Sequence, residues 1–173
     1  ASFSSHFSLY RDISRRVFEV VRQSFDDIEQ YSIDECFFTF ESDDPEKLVT
    51  DLKRQVERLV GIPVSVGVSN SKTRAKYVNS VAKRTGGIAL WDESNWQSEV
   101  ANIKLAEIWG VGRERAKAFS EKGILTVADL LKTETQVIAK LFGIEGVRLK
   151  SELSGQPVLA LKSQRIAQKS VMS

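Results

Sequence analysis

The sequence lacks the features that stabilise most small secreted and membrane proteins. Its 173 residues include a single cysteine, Cys36, so no disulfide can form within the chain. With one histidine besides, the chain has too few cysteine and histidine ligands for an ordinary zinc site. No apolar run is long enough to cross a bilayer, and the start of the sequence has no signal-peptide pattern. These absences predict a cytoplasmic protein in a reducing compartment, with no membrane among its partners.

Charged residues are divided unevenly along a chain of ordinary composition. Hydrophobic residues make up 42% and charged residues 28%, which is typical of a soluble globular protein with one domain or two small ones. Residues 1–100 contain 13 basic and 16 acidic residues, whereas residues 101–173 contain 12 and 7. The uneven counts favour an acidic N-terminal part and a basic C-terminal part that faces a polyanion. Chance fluctuation explains charge counts of this size equally well.

The first 93 residues show alternating helical and strand-like patterns. Asp44 is a predicted helix N-cap with Pro45 at the first helical position, and Gly61 ends that helix. The predicted order is helix, hairpin, helix, strand, helix and strand, at residues 9–24, 28–40, 45–60, 63–68, 69–83 and 88–91. This order predicts an α+β domain over residues 1–93, with helices packed on a mostly antiparallel sheet.

The pattern changes after Trp91. Residues 94–104 are polar and are predicted to form a linker between domains. Residues 105–160 consist of short helical segments punctuated by glycines, which predicts a small all-α domain with tight turns. Residues 161–173 have no amphipathic period and are predicted to be a linker toward a further domain.

Two adjacent carboxylates interrupt the strand-like segment. Asp34 and Glu35 lie among apolar, strand-forming neighbours, where an unpaired buried charge is costly. In a continuous strand one of the two would point into the core, whereas at a hairpin tip both can project outward. Clustered carboxylates repel unless a cation lies between them, and Mg²⁺ favours such oxygen ligands together with substrate phosphates. The pattern therefore suggests a Mg²⁺ site, and an ordinary solvated turn is the simpler explanation of an isolated Asp-Glu pair.

Lysines recur on the helix predicted after the second strand. Lys72, Lys76 and Lys83 are spaced by four and seven residues and are expected to share one face. Small polar residues at the start of this helix are expected to leave backbone N–H groups free to meet an anion. The stripe suits a triphosphate or a nucleic-acid backbone, and a solvated basic face is the alternative.

A Gly-x-Gly turn opens the predicted helical domain. Gly110, Val111 and Gly112 precede a helix that begins near Arg113 and Arg115. Two glycines let a backbone approach a phosphate closely, and the first turn of the next helix exposes N–H groups. The pattern favours DNA binding without sequence readout, since such contacts recognise phosphates rather than bases. A dinucleotide fold is not indicated, because a preceding strand and a third glycine are absent.

These three segments, taken together and in order, resemble Y-family translesion DNA polymerases. The run YSIDE at residues 31–35, followed by CFF, is similar to the palm motif of that family. Residues 61–87, GIPVSVGVSNSKTRAKYVNSVAKRTGG, resemble the next block, and residues 109–130 resemble the helix-hairpin-helix of the thumb. Ser4-Ser5, together with Leu9-Tyr10 at the start of the first helix, look most like the bacterial UmuC-type branch, which acts in SOS mutagenesis. The resemblance thus implies part of a polymerase palm followed by a helix-hairpin-helix thumb.

The resemblance also implies roles for individual residues. Asp34 and Glu35 would be catalytic, metal-binding carboxylates, and Lys83, with Lys76 as the weaker candidate, would contact the incoming nucleotide. The amides of residues 110–112, together with the nearby arginines, would hold duplex DNA. The implied reaction is DNA-directed DNA polymerisation on a primer-template, with Mg²⁺ as cofactor and deoxynucleoside triphosphates as substrates. For the full-length protein the family implies SOS accessory subunits and a sliding clamp as partners.

The sequence also departs from the family pattern. Family members carry a further metal-binding aspartate on a first palm strand, then a fingers domain, and a little-finger domain at the end. Only 33 residues precede Asp34, and none of their aspartates has that setting, so the chain alone is expected to be inactive. Alternatives are a non-catalytic DNA-binding or assembly subunit derived from such a polymerase, a nucleotide cyclase, and a helical adaptor. The cyclase signature is absent from the sequence, and the motif at residues 31–35 argues against an adaptor.

Overall fold

Two compact units make up the protein in the computed structural model, which describes residues 7–162. Of the described residues, 7–64 and 161–162 belong to the first unit, and Ser65–Ala160 form the second. The described elements of the first unit are α1 (Phe7–Ser24), β1 (Ile28–Gln30), β2 (Cys36–Phe38) and α2 (Pro45–Val60). This order confirms the predicted helix, hairpin and helix.

Local sequence signals explain why the elements of the first unit begin and end where they do. The Asp44 side chain accepts a hydrogen bond from Lys47 N at 3.0 Å, and Pro45 occupies the first turn of α2. Gly61 ends α2 with φ 79°, a conformation that costs glycine little. The amphipathic faces of α1 and α2 pack against the β1–β2 strand pair. The buried core between them consists of Val20, Val21, Phe25, Ile28, Leu52 and Val56.

The second unit combines a small parallel sheet with a helical region. Its elements are β3 (Val66–Val68), α3 (Lys72–Ala82), β4 (Ile88–Leu90), α4 (Glu93–Glu99), a 3-10 turn (Leu105–Glu107), α5 (Arg113–Ser120), α6 (Val127–Lys132) and α7 (Thr135–Leu153). The short helices after residue 105 were predicted, whereas α7 is longer than the glycine spacing indicated. Gly143 interrupts α7 with φ 64° and ψ −161°, so two helical stretches meet there.

The sheets differ from the single, mostly antiparallel sheet that the sequence predicted. Strands β1 and β2 pair antiparallel, with Ile28 opposite Phe38. Strands β3 and β4 pair parallel, with Val66 opposite Ile88. The parallel pair follows from connectivity, because α3 crosses between the two strands and returns the chain in the same direction. The α+β class is confirmed, but within the described residues one strand pair is antiparallel and the other is parallel.

The polar segment predicted as a linker is helical and contributes to a core. Residues 94–104 contain most of α4, which Asp92 caps by accepting from Asn95 N at 2.9 Å. Trp96 on this helix is fully buried, and its ring meets those of Tyr77 and Trp91 at 6.2 Å. Trp96 and Ile103 are both buried in the core of the second unit, and Val100 packs against it, so the segment is part of that unit. Along the chain, the division between the two compact units falls between residues 64 and 65 rather than near residue 93.

The C-terminal linker predicted over residues 161–173 lies, from residue 163 onward, outside the described residues. Within residues 7–162 no helix combines the length and apolarity needed to cross a membrane.

Candidate functional site

Asp34 and Glu35 lie in the turn that joins β1 to β2. The Glu35 carbonyl oxygen accepts hydrogen bonds from Tyr31 N at 3.0 Å and from Ser32 N at 3.1 Å, which closes the turn. The Ser32 hydroxyl donates to Asp34 Oδ1 at 2.6 Å. The Asp34 side chain is exposed and Glu35 is half-buried. The turn therefore resolves the predicted conflict, since neither carboxylate has to occupy a strand that faces the core.

The turn offers a donor set that fits Mg²⁺. Ionised carboxylates present only acceptor oxygens, and Mg²⁺ is commonly held by one or two of them with water and phosphate oxygens completing the shell. Among residues 7–162 no three side chains of the types His, Cys, Asp and Glu converge on one point. Asp34 and Glu35 would therefore hold the ion together with oxygens from water and a phosphate substrate.

Cys36, directly after the acidic pair, is not poised for chemistry. Burial raises the pKa of its thiol to about 11, and the positive charge of Arg22 opposes that rise only in part. At neutral pH the side chain therefore remains a thiol, which is the poor nucleophile of the two forms.

The start of α3 differs from the predicted anion site. Thr73 N donates to Glu152 Oε2 at 3.0 Å, and the Ser71 hydroxyl donates to the Glu152 carbonyl oxygen at 2.7 Å. Arg74 N donates to the Ser71 hydroxyl at 3.3 Å. A carboxylate of the chain itself thus occupies the positive end of this helix, where a phosphate was expected. The expectation was wrong because the partner comes from α7, which lies far along the sequence.

Arg74 and Glu152 form a buried polar cluster that the sequence reading missed. Both side chains are fully buried. Arg74 Nε donates to the Leu153 carbonyl oxygen at 3.0 Å, Nη1 donates to Glu93 Oε2 at 2.6 Å, and the guanidinium lies 4.4 Å from the Trp96 ring centroid. The hydrogen bond from Arg74 lowers the pKa of Glu93 below its usual value.

Helical periodicity contained a signal for this cluster. Glu152 stands three residues after Leu149 and next to Leu153, both of which are buried. Arg74 stands four residues before Val78, which is also buried. A charged residue in phase with an apolar face predicts either a buried ion pair or a functional group. The charge counts gave no such indication, since they treat every charged residue alike.

The three lysines of α3 do not form one uniform stripe. Lys72 Nζ donates to the Ala160 carbonyl oxygen at 2.8 Å. Lys76 Nζ lies 5.9 Å from the ring centroid of Trp109, the residue before Gly110. Lys83 caps the C-terminal end of α3 and is exposed. Each lysine therefore has a different environment, so a shared role does not follow from their spacing.

The Gly110–Gly112 segment, hereafter the hairpin, forms the sharp turn that the sequence predicted. Gly110 has φ 84°, and a Cβ at Gly110 or Gly112 would meet no atom within 4 Å. Val111 between them is buried and holds the turn to the core. Arg115 Nη1 donates to the Gly110 carbonyl oxygen at 2.9 Å, while Arg113 is exposed at the first position of α5. The hairpin thus presents open backbone beside two arginines.

Comparison with known proteins supports the resemblance found in the sequence. Residues 1–80 match the model of the IMS (impB/mucB/samB) family. The chain is 34% identical to protein MucB of Escherichia coli over 180 residues, covering 99% of this chain and 43% of MucB. It is 34% identical to protein UmuC of Salmonella typhimurium over 171 residues, covering 92% of this chain and 40% of UmuC.

More distant relatives extend the same picture. The chain is 27% identical to DNA polymerase IV of Bacillus velezensis over 166 residues, covering 93% of this chain and 40% of that protein. An insertion ternary complex of Dbh DNA polymerase superposes with a TM-score of 0.75 at 22% identity, covering 86% of this chain and 45% of that one. That likeness concerns the fold. The chain spans less than half the length of each of these curated relatives.

Proposed function

We propose that the chain, which is 34% identical to MucB and to UmuC, forms part of a DNA-directed DNA polymerase of the UmuC-type branch of the Y family. The activity would be error-prone translesion synthesis in DNA repair and the SOS response. The observation that supports this most is the turn at residues 31–35, which presents two adjacent carboxylates within the family's palm motif. Primer-template DNA and deoxynucleoside triphosphates would be the substrates.

The proposed chemistry is transfer of a nucleotidyl group to a primer. The primer 3′-hydroxyl would attack the α-phosphate, forming a new ester bond and releasing pyrophosphate. Bound Mg²⁺ would supply alignment and neutralisation of the charge that develops on the phosphate oxygens. Asp34 and Glu35 would hold the metal, and exposed Lys83 would contact the triphosphate through its ammonium group. The protein would thus act by positioning and charge, without a covalent intermediate.

Residues 105–160 would serve as the thumb, with the hairpin as its contact to duplex DNA. Open backbone at Gly110 and Gly112 lets a phosphate approach the amides of the first turn of α5. Arg113 and Arg115 beside it supply positive charge. Contacts of this kind fix the position of a duplex without reading its sequence.

The Gly112→Ala substitution is expected to weaken duplex binding by about tenfold while leaving the fold intact. The new methyl group meets no protein atom within 4 Å and the backbone φ of −72° suits alanine, but the methyl would keep a phosphate away from the amides. The loss of affinity is measured by fluorescence anisotropy with a labelled DNA duplex of mixed sequence at several KCl concentrations. Exposed Ser120 at the other end of α5 supplies the matched control, Ser120→Ala. Equal affinities for the two variants would argue against the hairpin as a DNA contact.

The 173-residue chain alone is expected not to extend a primer. Asp34 and Glu35 provide two of the three carboxylates that the family resemblance implies, and no third one joins them among residues 7–162. Gel electrophoresis of a labelled primer, incubated with template, nucleotides and Mg²⁺, is the measurement. Extension that disappears in the Asp34→Asn variant would show that the chain suffices for catalysis.

A non-catalytic DNA-binding or assembly subunit is the second candidate, and it is favoured by the lack of any group of three His, Cys, Asp or Glu side chains suited to a metal ion among residues 7–162. Under that function Asp34→Asn would leave duplex affinity and the fold essentially unchanged. Under the polymerase function, Mn²⁺ added as a paramagnetic probe is expected to broaden the NMR signals of residues 31–35, and Asp34→Asn is expected to abolish that broadening.

A further inference from the structure

Two buried carboxylates hold a short segment that follows α7. Residues 157–162, hereafter the strap, form neither a helix nor a strand. Glu152 Oε1 accepts a hydrogen bond from Val158 N at 2.8 Å, and Glu29 Oε2 accepts one from Lys162 N at 2.7 Å. Glu152 is fully buried and Glu29 is 7% exposed. The strap is therefore held near both ends through its main-chain N–H groups.

The burial of these two carboxylates indicates that the path of the strap is specific. A carboxylate removed from water is costly unless hydrogen bonds replace its hydration. Glu152 accepts a further bond from Leu159 N at 2.9 Å, and bonds from N–H groups to a carboxylate are stronger than those between neutral groups. Between the two anchors, Lys72 Nζ donates to the Ala160 carbonyl oxygen at 2.8 Å. The strap thus follows one defined path, which ends at β1.

The anchor at Glu29 lies on one particular face of the β1–β2 strand pair. Ile28 is opposite Phe38, and both pack with α1 and α2. Side chains alternate between the two faces of a strand, so Glu29 and the residue opposite it, Phe37, lie on the other face. Lys162 therefore contacts the strand pair on the face away from α1 and α2.

The same face leads to the acidic turn. Tyr31, where that turn begins, is two residues after Glu29, which corresponds to about 7 Å along a strand. A primer-template that brings its 3′ end to Asp34 and Glu35 cannot approach through the face that α1 and α2 cover. It has to approach from the tip of the turn or over the face where the strap lies. The strap at Glu29 therefore occupies part of the space that the DNA would need.

We infer that the strap is an autoinhibitory contact: while Glu29 holds Lys162 N, the strap restricts the access of primer-template DNA to the acidic turn, and its release opens that access. The inference rests on the proposed binding of primer-template DNA at residues 31–35. The apparent affinity of a site falls with the fraction of molecules in which the site is open. Weakening the anchor at Glu29 is therefore expected to tighten DNA binding.

Lys162→Pro tests the anchor directly, because proline has no N–H to donate to Glu29. Lys162→Ala is the matched control, since it removes the same positive charge and retains the N–H. The probe is a labelled primer-template with a recessed 3′ end, titrated with the 173-residue chain in Mg²⁺ and followed by fluorescence anisotropy. Lys162→Pro is expected to bind the probe about tenfold more tightly than Lys162→Ala, the lower end of what a hydrogen bond to a charged group contributes. Loss of a positive charge weakens DNA binding, so charge does not explain a gain.

Glu29→Gln provides a second test that leaves the strap itself unaltered. The substitution keeps the size of the side chain and removes the negative charge that strengthens the bond from Lys162 N. Its control is Asp27→Asn, an equal change of charge at an exposed position just before β1. A neutral gadolinium chelate broadens the NMR signals of exposed protons. It is expected to broaden the amide signal of Lys162 in Glu29→Gln and not in Asp27→Asn, and Glu29→Gln is expected to bind the primer-template more tightly than its control.

The outcomes separate the autoinhibitory role from the function on which it rests. Tighter binding by Lys162→Pro and by Glu29→Gln than by their controls supports the role. If the unchanged chain binds DNA and Gly112→Ala weakens that binding, but Lys162→Pro and Lys162→Ala bind alike, the autoinhibitory role alone is overturned. If neither the unchanged chain nor any variant binds the primer-template, the proposed function fails and the inference fails with it. If circular dichroism shows that Lys162→Pro does not fold, the comparison of Glu29→Gln with Asp27→Asn decides.

Discussion

The Gly67→Ala substitution is expected to destabilise the second unit strongly. A Cβ at this position would lie 2.1 Å from Asn79 N and 2.4 Å from Asn79 Cα. Those atoms belong to the backbone of α3, so no rotation of a side chain relieves the contact. Strand β3 and helix α3 would have to separate by more than 1 Å, roughly the gap between these distances and ordinary van der Waals contact.

This separation is expected to lower the free energy of unfolding by about 3 kcal/mol or more, which is the upper end of the range usual for overpacked cores. For a unit of this size that corresponds to a fall in melting temperature of roughly 15 °C. Thermal unfolding followed by circular dichroism is the measurement. Gly112→Ala is the matched control, because the same methyl group meets nothing within 4 Å there. Similar melting temperatures for the two variants would mean that β3 and α3 are not packed as closely as the structure shows.

Gly67 illustrates which features of the fold the sequence could reveal. Signals within a few residues were reliable: Asp44 and Pro45 begin α2 as predicted, Gly61 ends it, and the turn at residues 31–35 joins two strands. Each depends on local backbone preferences that a single segment contains. The reason for a glycine at position 67 depends instead on Asn79, which no local pattern identifies as its neighbour.

Interactions between distant segments account for what the sequence did not reveal. Thr73 and Glu152 are 79 residues apart, so the carboxylate at the start of α3 was not foreseeable from the sequence around either residue. The same holds for Lys72, which bonds to a carbonyl oxygen 88 residues away. Predicting an anion site from free N–H groups assumes that no internal acceptor reaches them. Here α7 provides that acceptor, and the prediction fails for this reason.

The prediction that residues 94–104 form a polar linker was wrong for a related reason. Composition averages over residues, whereas burial is decided by individual side chains. Trp96 lies in a run of polar residues, yet it is fully buried and its ring packs against two other aromatic rings. Burial of Trp96 and Ile103 offsets part of the entropy cost of ordering the segment. A single large aromatic residue within a predicted linker is therefore a reason to expect structure there.

The candidate site was predictable to a different extent in its two parts. The acidic turn and the hairpin depend on short motifs, and the structure forms both turns where those motifs are. The lysines depend on which neighbours surround α3, and here spacing alone was misleading. Lys76 lies near Trp109, and only the folded second unit reveals that relation.

Asp34→Asn is expected to slow polymerisation severely in a hybrid that places this chain within a complete polymerase. We would replace the matching segment of DNA polymerase IV from Bacillus velezensis, a relative of 27% identity, with residues 1–173 of this chain. The hybrid is expected to extend a primer with Mg²⁺. In it, Asp34→Asn should lower kcat by about 10³-fold, which is about 4 kcal/mol in the activation barrier. The side chain keeps its shape and can still accept from Ser32, so the loss would come from the missing negative charge.

Glu35→Gln should lower kcat to a similar degree, since the proposed metal site needs both negative charges. Asp43→Asn is the control, because Asp43 is an equally exposed acid nine residues after Asp34 and outside the turn. Rapid-quench measurement of single-nucleotide incorporation separates kcat from the affinity for the nucleotide. A fall in kcat for Asp34→Asn and Glu35→Gln, but not for Asp43→Asn, supports a catalytic role for the turn. If the hybrid extends primers equally well with all three substitutions, Asp34 and Glu35 form only a solvated turn, and the catalytic assignment is wrong.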